Sequence, residues 1–148
     1  IRDRDWTDYN GHMNVAYYVL IFDLFGAEIL MNRFHMGEES AKTNKKSTMV
    51  VESHITYNEE VKEGDEVDVN LLYFDHDKKR LQYKLEMIHK EKKYVASTIE
   101  TLSLYVDLSL RKVAEFEEEK VKIMDQYIKE NSPKFNSENL KFSNKLKK

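Results

Sequence analysis

The sequence predicts an α+β protein in which a curved antiparallel sheet of five or so strands wraps around one long central helix, with a further helix at the C-terminus. Three patterns predict it: a long apolar run, segments of alternating apolar and polar residues after that run, and apolar residues at helical spacing near the end. The 148 residues are enough for one domain with a real core. We expect this core domain at residues 1–116, and a C-terminal helix with a polar tail at residues 117–148.

The long helix is predicted over residues 15–35, directly after Asn14, whose side chain can cap an early backbone amide. Polar residues are sparse in it, so we expect most of its circumference to be covered by other parts of the protein. Its most apolar part, residues 15–31, is interrupted by Asp23 and Glu28. It also falls short of the roughly 20 residues that a membrane span requires. We therefore interpret it as a core helix.

Four segments after the helix alternate apolar with polar residues, as antiparallel strands with one covered face do. Short turns rich in Gly, Asp and Lys join them, so we expect a meander. The short segment 1–5 also resembles the end of a strand. The four predicted strands lie at residues 48–58, 66–75, 80–90 and 94–108.

The C-terminal helix is predicted over residues 117–131, and Pro133 ends it. Residues 132–148 contain five lysines and one glutamate. We expect this positively charged tail to be peripheral or mobile.

The composition of the chain excludes several classes of function. A net charge of −3 provides no overall basic field, so a nucleic-acid partner is not expected. The absence of cysteine excludes disulfides, thiolate metal sites and cysteine nucleophiles, and it fits a reducing compartment. No signal peptide is visible, so we expect a cytoplasmic protein without a membrane partner. His54 and His89 lack a third ligand at metal-site spacing, and four glycines hardly build a phosphate loop, so we expect no metal and no cofactor.

A polar loop directly before the long helix is the strongest candidate for chemistry. Asp8, Asn10 and His12 alternate in it, so their side chains share one side if the loop is extended. The helix dipole would keep Asp8 ionised, able to attack a carbonyl or to take a proton from water. Asn10 could orient the carboxylate or a water, and His12 could protonate a leaving group. The alternatives are an Asx-turn at Asp8, a simple turn at Asn10 and a satisfied loop histidine at His12.

Glu59 and Glu60 follow Tyr57 at the end of the first predicted strand after the helix. Two adjacent acids are usually solvated, and a catalytic role requires one of them to lie near Asp8.

Further residues are candidates for substrate binding. Lys79 and Arg80, and the lysines of the turn 90–93, could receive phosphates, although charged turns mostly serve solubility. Tyr18 could line a substrate tunnel or simply fill the core, and we favour the core.

The motifs of this chain resemble those of hotdog-fold acyl-CoA thioesterases of the 4-hydroxybenzoyl-CoA thioesterase-like group, over residues 5–116. The most specific stretch is DWTDYNGHMNVAYY at residues 5–18, supported by ESHITY at residues 52–57, KRLQY at residues 79–83 and LYVD at residues 104–107. Within the group the chain is similar to thioesterases associated with carnitine and betaine metabolism. The resemblance implies hydrolysis of a small or medium acyl-CoA to free acid and CoA. The alternatives are a non-catalytic acyl-CoA-binding hotdog module and, ranked lower, a hotdog dehydratase.

The resemblance also implies roles for individual residues. Asp8, three positions before Gly11, corresponds to the nucleophile or base of the hydroxybenzoyl-type enzymes, and the backbone amide of Val15 to the group that polarises the thioester carbonyl. The family implies a homodimer or a dimer-based higher oligomer, with Glu60 among the residues that a neighbouring sheet would contribute. Plant acyl-carrier-protein thioesterases carry an Asp-x-Asn-x-His loop and a later glutamate, which Asp8, Asn10, His12 and Glu60 match.

Overall fold

The computed structural model describes residues 6–135 and 140–148. The predicted strand end at residues 1–5 lies outside the described residues. We label the helices α1 (Val15–Arg33), α2 (Glu38–Thr43) and α3 (Glu118–Asn131). The strands are β1 (Lys46–Tyr57), β2 (Val67–His76), β3 (Arg80–His89), β4 (Val95–Asp107) and β5 (Lys112–Val113).

Helix α1 begins at the predicted cap, where Asn14 Oδ1 accepts a hydrogen bond from the Ala16 amide at 3.0 Å. One π-helical turn, Asp23–Ala27, interrupts it. A Cβ on Gly26 in this turn would lie 2.7 Å from Leu85 Cδ1, closer than packed carbons approach. The glycine therefore lets α1 lie directly against β3.

One face of α1 packs on the sheet, where Ile21, Phe22 and Leu30 are buried. The opposite face is open, with Phe25 55% and Ile29 50% exposed. The expectation that most of the helix circumference is covered is therefore wrong for a single chain. The helix ends at Arg33, two residues before the expected end, and its 19 residues with mean hydropathy 1.5 meet the length and composition of a membrane span. Its packing against the sheet is that of a core helix.

The strand order is β1-β4-β3-β2, all antiparallel, with β5 paired to β4. Strands β2, β3 and β4 form the predicted meander. Strand β1 departs from it, because it pairs with β4 rather than with β2. Pairing of Tyr57 with Ser97 and of Lys46 with Asp107 places the end of β1 beside the start of β4.

Helix α3 contacts the sheet at β2 and lies beside the C-terminal end of α1. The Tyr127 ring meets the rings of Phe34 and Tyr73 edge to face, at 5.7 and 6.1 Å, and Arg33 lies 4.9 Å from its centroid. Aromatic contacts of this kind contribute about 0.5–1.5 kcal/mol each beyond the buried area.

A charge cluster joins the start of α3 to the sheet. Glu117 accepts hydrogen bonds from Lys46 Nζ at 2.8 Å and from the Tyr105 hydroxyl at 2.8 Å. It also pairs with Lys120 Nζ at 3.2 Å. This one carboxylate therefore connects β1, β4 and α3.

The C-terminal segment 140–148 packs against the sheet face opposite α1, so these residues are peripheral, as one of the two expectations had it, and they are attached to the sheet by hydrogen bonds. Glu100, only 3% exposed, accepts hydrogen bonds from the amides of Lys141 at 2.6 Å and Phe142 at 2.9 Å. Its carboxylate also accepts one from Gln82 Nε2 at 3.0 Å. Phe142 is buried as a result.

Candidate active site

The loop before α1 is a tight turn rather than the extended segment considered above. The Asp8 amide donates to the His12 carbonyl at 2.8 Å, and the Gly11 amide donates to the Asp8 carbonyl at 3.0 Å. Gly11 has a φ of 78°, which favours glycine. Alternation of side chains therefore does not place Asp8, Asn10 and His12 on one side.

The half-buried Asp8 carboxylate organises this loop. Its Oδ1 accepts hydrogen bonds from the amides of Asn10 at 2.8 Å and His12 at 3.3 Å, which is the Asx-turn considered as the alternative. Its Oδ2 accepts none from the residues that the structure describes. Asp8 thus has a structural role through Oδ1, whereas no described residue occupies Oδ2, which can meet a ligand or a water.

At the start of α1 the Val15 amide donates to no residue within the described part of the chain. The next two amides are used, by the Asn14 side chain and by the Asn14 carbonyl. An unused N–H at a helix N-terminus is a donor of the kind that stabilises an oxyanion.

His12 and Glu60 form a pair within one chain, with Nε2 and Oε2 3.3 Å apart. The loop and the segment after β1 are joined by their backbones, because the Met13 amide donates to the Val61 carbonyl at 2.8 Å. The Tyr94 hydroxyl also donates to the Glu60 carbonyl at 2.6 Å. The expected contribution of Glu60 from a neighbouring subunit is therefore corrected: its own chain brings it to His12.

A cleft of about 620 Å³ opens beside this pair. A larger concavity of about 800 Å³ lies around α2 and contains none of the predicted site residues. Burial raises the pKa of the Tyr18 hydroxyl; a hydrogen bond with the Val61 backbone opposes this shift, and the nearby Tyr94, Glu60 and Tyr57 add to it. The cleft is lined by Met13, Val15, Tyr18, Tyr57, Asn58, Glu59, Glu60, Lys62, Asp65, Lys92 and Tyr94.

The structure thus brings three predicted site residues into the cleft wall, namely Val15, Tyr18 and Glu60. Asp8, Asn10, Gly11 and His12 belong to the adjoining loop and do not line the cleft. Asn10 is exposed.

Lys79 and Arg80 lie at the other end of the sheet, where Arg80 Nη1 contacts Asp77 Oδ2 at 3.2 Å. One chain does not bring them to the cleft. Lys62 and Lys92 lie there instead. Lys92 belongs to the turn 90–93 noted in the sequence. Its position at the cleft follows from the pairing of β1 with β4, which places this turn at the end of the sheet where β1 ends. No local pattern in the sequence indicated that pairing.

A single helix held in a curved antiparallel sheet, with a polar loop at the helix start, defines the hotdog fold, and the predicted fold is confirmed. The chain matches the thioesterase-like superfamily over residues 3–126 and belongs to that family. The predicted class of thioester hydrolase is thereby confirmed.

Individual relatives agree with this assignment. The chain is 30% identical to the betainyl-CoA thioesterase of Pseudomonas aeruginosa over 115 residues, which are 78% of this chain and 72% of the relative. It resembles the crystal structure of a putative thioesterase of Pseudomonas putida, with a TM-score of 0.80, 29% identity, and coverage of 94% of this chain and 88% of the other. It also resembles a Staphylococcus aureus protein solved in complex with CoA, with a TM-score of 0.76, 26% identity, and coverage of 87% and 80%.

Proposed function

We propose that this thioesterase hydrolyses small or medium acyl-CoA thioesters to free acid and CoA in the cytoplasm. The observation that carries the proposal is the unused Val15 amide at the start of α1, at the wall of a cleft that also contains Glu60. The CoA complex of the Staphylococcus aureus relative supports a CoA thioester as substrate. A chain without cysteine suits a reducing compartment.

In the proposed reaction the oxygen of a water forms a bond to the thioester carbon, the carbon–sulfur bond breaks, and CoA leaves as the thiol. Asp8 Oδ2 takes a proton from this water, and that proton goes to the departing thiolate. In the alternative route Asp8 attacks the carbon itself, CoA leaves, and the water that opens the resulting anhydride supplies the same proton. The Val15 amide stabilises the oxyanion, where one such donor contributes roughly 3–4 kcal/mol. The His12–Glu60 pair and Asn10 position the water and the carboxylate.

The CoA phosphates need cationic partners. Lys62 and Lys92 line the cleft and are proposed to meet them. Lys79 and Arg80 remain candidates only if a second subunit brings them to the cleft. The betainyl-CoA thioesterase relative makes the betainyl group, a two-carbon acyl chain ending in a trimethylammonium, one candidate for the acyl group.

We expect a homodimer or a dimer-based oligomer. Strand β1 lies at the edge of the described sheet and exposes Met49 at 58%, Val50 at 59% and Val51 at 46%. The open face of α1 adds exposed apolar surface next to it. A long apolar edge strand of this kind pairs readily with another copy.

The dimer is tested by sedimentation of the wild type and of Val51→Lys. We expect a dimer for the wild type and a shift to monomer for the variant, because a lysine charge is costly to bury in a paired edge. Val113→Lys on β5 is the matched control, since Val113 is 45% exposed, and it should remain dimeric. A monomeric wild type, or equal behaviour of both variants, contradicts the proposal.

The activity is tested by thiol release from a panel of acyl-CoAs of increasing chain length. We expect release from short and medium members, and a roughly 10- to 100-fold lower kcat for Glu60→Gln, because the amide no longer provides the carboxylate that orients the His12 ring. Glu63→Gln, an exposed acid in the following turn, is the control. Tight binding of acyl-CoA in calorimetry without any thiol release would instead favour a binding module.

A further inference from the structure

The cleft wall beside Val15 is unusually rich in tyrosine. Tyr18, Tyr57 and Tyr94 all line it. The rings of Tyr18 and Tyr57 meet edge to face, with centroids 5.3 Å apart and an interplanar angle of 88°, so they form a corner. Tyr57 is 47% exposed, and its ring is therefore accessible from the cleft.

Three carboxylates line the same cleft, and they differ in their partners. Asp65 contacts His89 at 3.3 Å, and Glu60 contacts His12 at 3.3 Å. The carboxylate of Glu59 receives no hydrogen bond or ion pair from any residue that the structure describes. Among the three carboxylates of the cleft, Glu59 is therefore the one whose charge no described residue compensates.

The negative charge of these carboxylates affects the ionisation of a neighbouring tyrosine. Burial raises the pKa of the Tyr94 hydroxyl, and Asp65, Glu59 and Glu60 raise it further because they disfavour a second negative charge. Three carboxylates therefore lie at the aromatic part of the cleft, where they would attract a cationic group of a ligand.

Two lysines, Lys62 and Lys92, line the cleft as well, and both are exposed. Of the described residues, His12 beside Glu60 is a further titratable group next to this wall. A ligand that suits the whole cleft carries both signs of charge, with anionic groups for the lysines and a cationic group for the tyrosine and carboxylate wall. A CoA thioester supplies the anionic groups through its phosphates.

We propose that Glu59 and Tyr57 are the specificity-determining residues of this cleft, because they would recognise a quaternary ammonium at the end of a short acyl group such as the betainyl group. The proposal rests on the proposed acyl-CoA hydrolysis. A quaternary ammonium has no N–H to donate, so proteins recognise it through aromatic faces and nearby negative charge. The Tyr18–Tyr57 corner and the uncompensated Glu59 provide both.

The test compares two substrates of the same shape. Betainyl-CoA carries a trimethylammonium, and 3,3-dimethylbutanoyl-CoA carries a tert-butyl group in its place. Thiol release gives kcat/KM for each, and we expect the wild type to favour the cationic substrate by about 10-fold or more. A ratio near one overturns the cation proposal and leaves acyl-CoA hydrolysis standing. No release from either substrate, or from the acyl-CoA panel, overturns both.

Variants of Glu59 and Tyr57 show whether these two residues cause the preference for the cationic substrate. Glu59→Gln should reduce the ratio of the two kcat/KM values about 5- to 10-fold, because one charge near the ammonium is removed. Tyr57→Leu should reduce it about 5-fold, whereas Tyr57→Phe, which keeps the aromatic face, should retain it. Glu63→Gln, outside the cleft, is the matched control for Glu59. An unchanged ratio in both Glu59→Gln and Tyr57→Leu contradicts the assignment.

Discussion

Asp8→Asn is expected to lower kcat for acyl-CoA hydrolysis by about 10²- to 10⁴-fold, the usual contribution of a general base or nucleophile. Asparagine keeps an Oδ1 that accepts the hydrogen bonds from the amides of Asn10 and His12, now at 2.8 and 3.3 Å. The variant therefore removes the charge and the basic Oδ2 and preserves the Asx-turn. Single-turnover thiol release would show whether the chemical step itself is slowed.

Two controls separate the contribution of Asp8 to loop stability from its contribution to catalysis. The melting temperature of Asp8→Asn should stay within about 2 °C of the wild type, whereas Asp8→Ala should lower it, because the loop loses both hydrogen bonds. Thiol release from Asp8→Asn at the wild-type rate would remove Asp8 from the mechanism and leave it a purely structural turn residue.

Glu117→Ala is expected to destabilise the protein by about 3 kcal/mol, because it leaves Lys46, Tyr105 and Lys120 without their shared acceptor. The Lys120 side chain is only 6% exposed, so its charge cannot regain full hydration. For a chain of this size the loss corresponds to a fall in Tm of roughly 6–12 °C. Urea unfolding at neutral pH measures the free energy directly.

A matched control is Glu118→Ala, one residue further on. Glu118 is 89% exposed and lies 3.9 Å from Lys122, so its loss should cost less than about 0.5 kcal/mol. Equal effects of the two substitutions would show that the cluster does not stabilise the fold.

The stabilisation by Glu117 should depend on pH. Burial alone would raise the pKa of Glu117, but hydrogen bonds from Lys46, Tyr105 and Lys120 outweigh it and lower the pKa from 4.5 to about 2. Since the folded pKa lies below the unfolded one, the contribution is complete above about pH 4.5 and is lost as the pH falls towards 2. The difference in unfolding free energy between wild type and Glu117→Ala should therefore shrink across this range.

Most of the fold could be predicted from the sequence, because its helices and strands have strong periodicities and clear turns. Alternation placed β2 and β3 within a residue or two of their bounds, and Asn14 was correctly identified as the helix cap. Pairing of β1 with β4 could not be predicted, because alternation says which face is covered and not which strand is adjacent.

The candidate site could be predicted only in part, because local sequence patterns do not show which distant segments come together. Asp8 and His12 stand in one short motif, but the contact of His12 with Glu60 depends on chain segments 48 positions apart, which no local pattern reveals. Glu100 was overlooked because an acid on the polar face of an alternating strand looks solvated. Its burial depends on a segment more than 40 positions further along.

The attachment of residues 140–148 has a consequence for how this region can vary. Glu100 accepts hydrogen bonds from the main-chain amides of Lys141 and Phe142, and Asp77 accepts one from the amide of Lys147 at 2.8 Å. Every amino acid except proline offers that donor. The attachment of this segment therefore tolerates substitutions at positions 141 and 147, whereas a proline at either position would remove one of its hydrogen bonds.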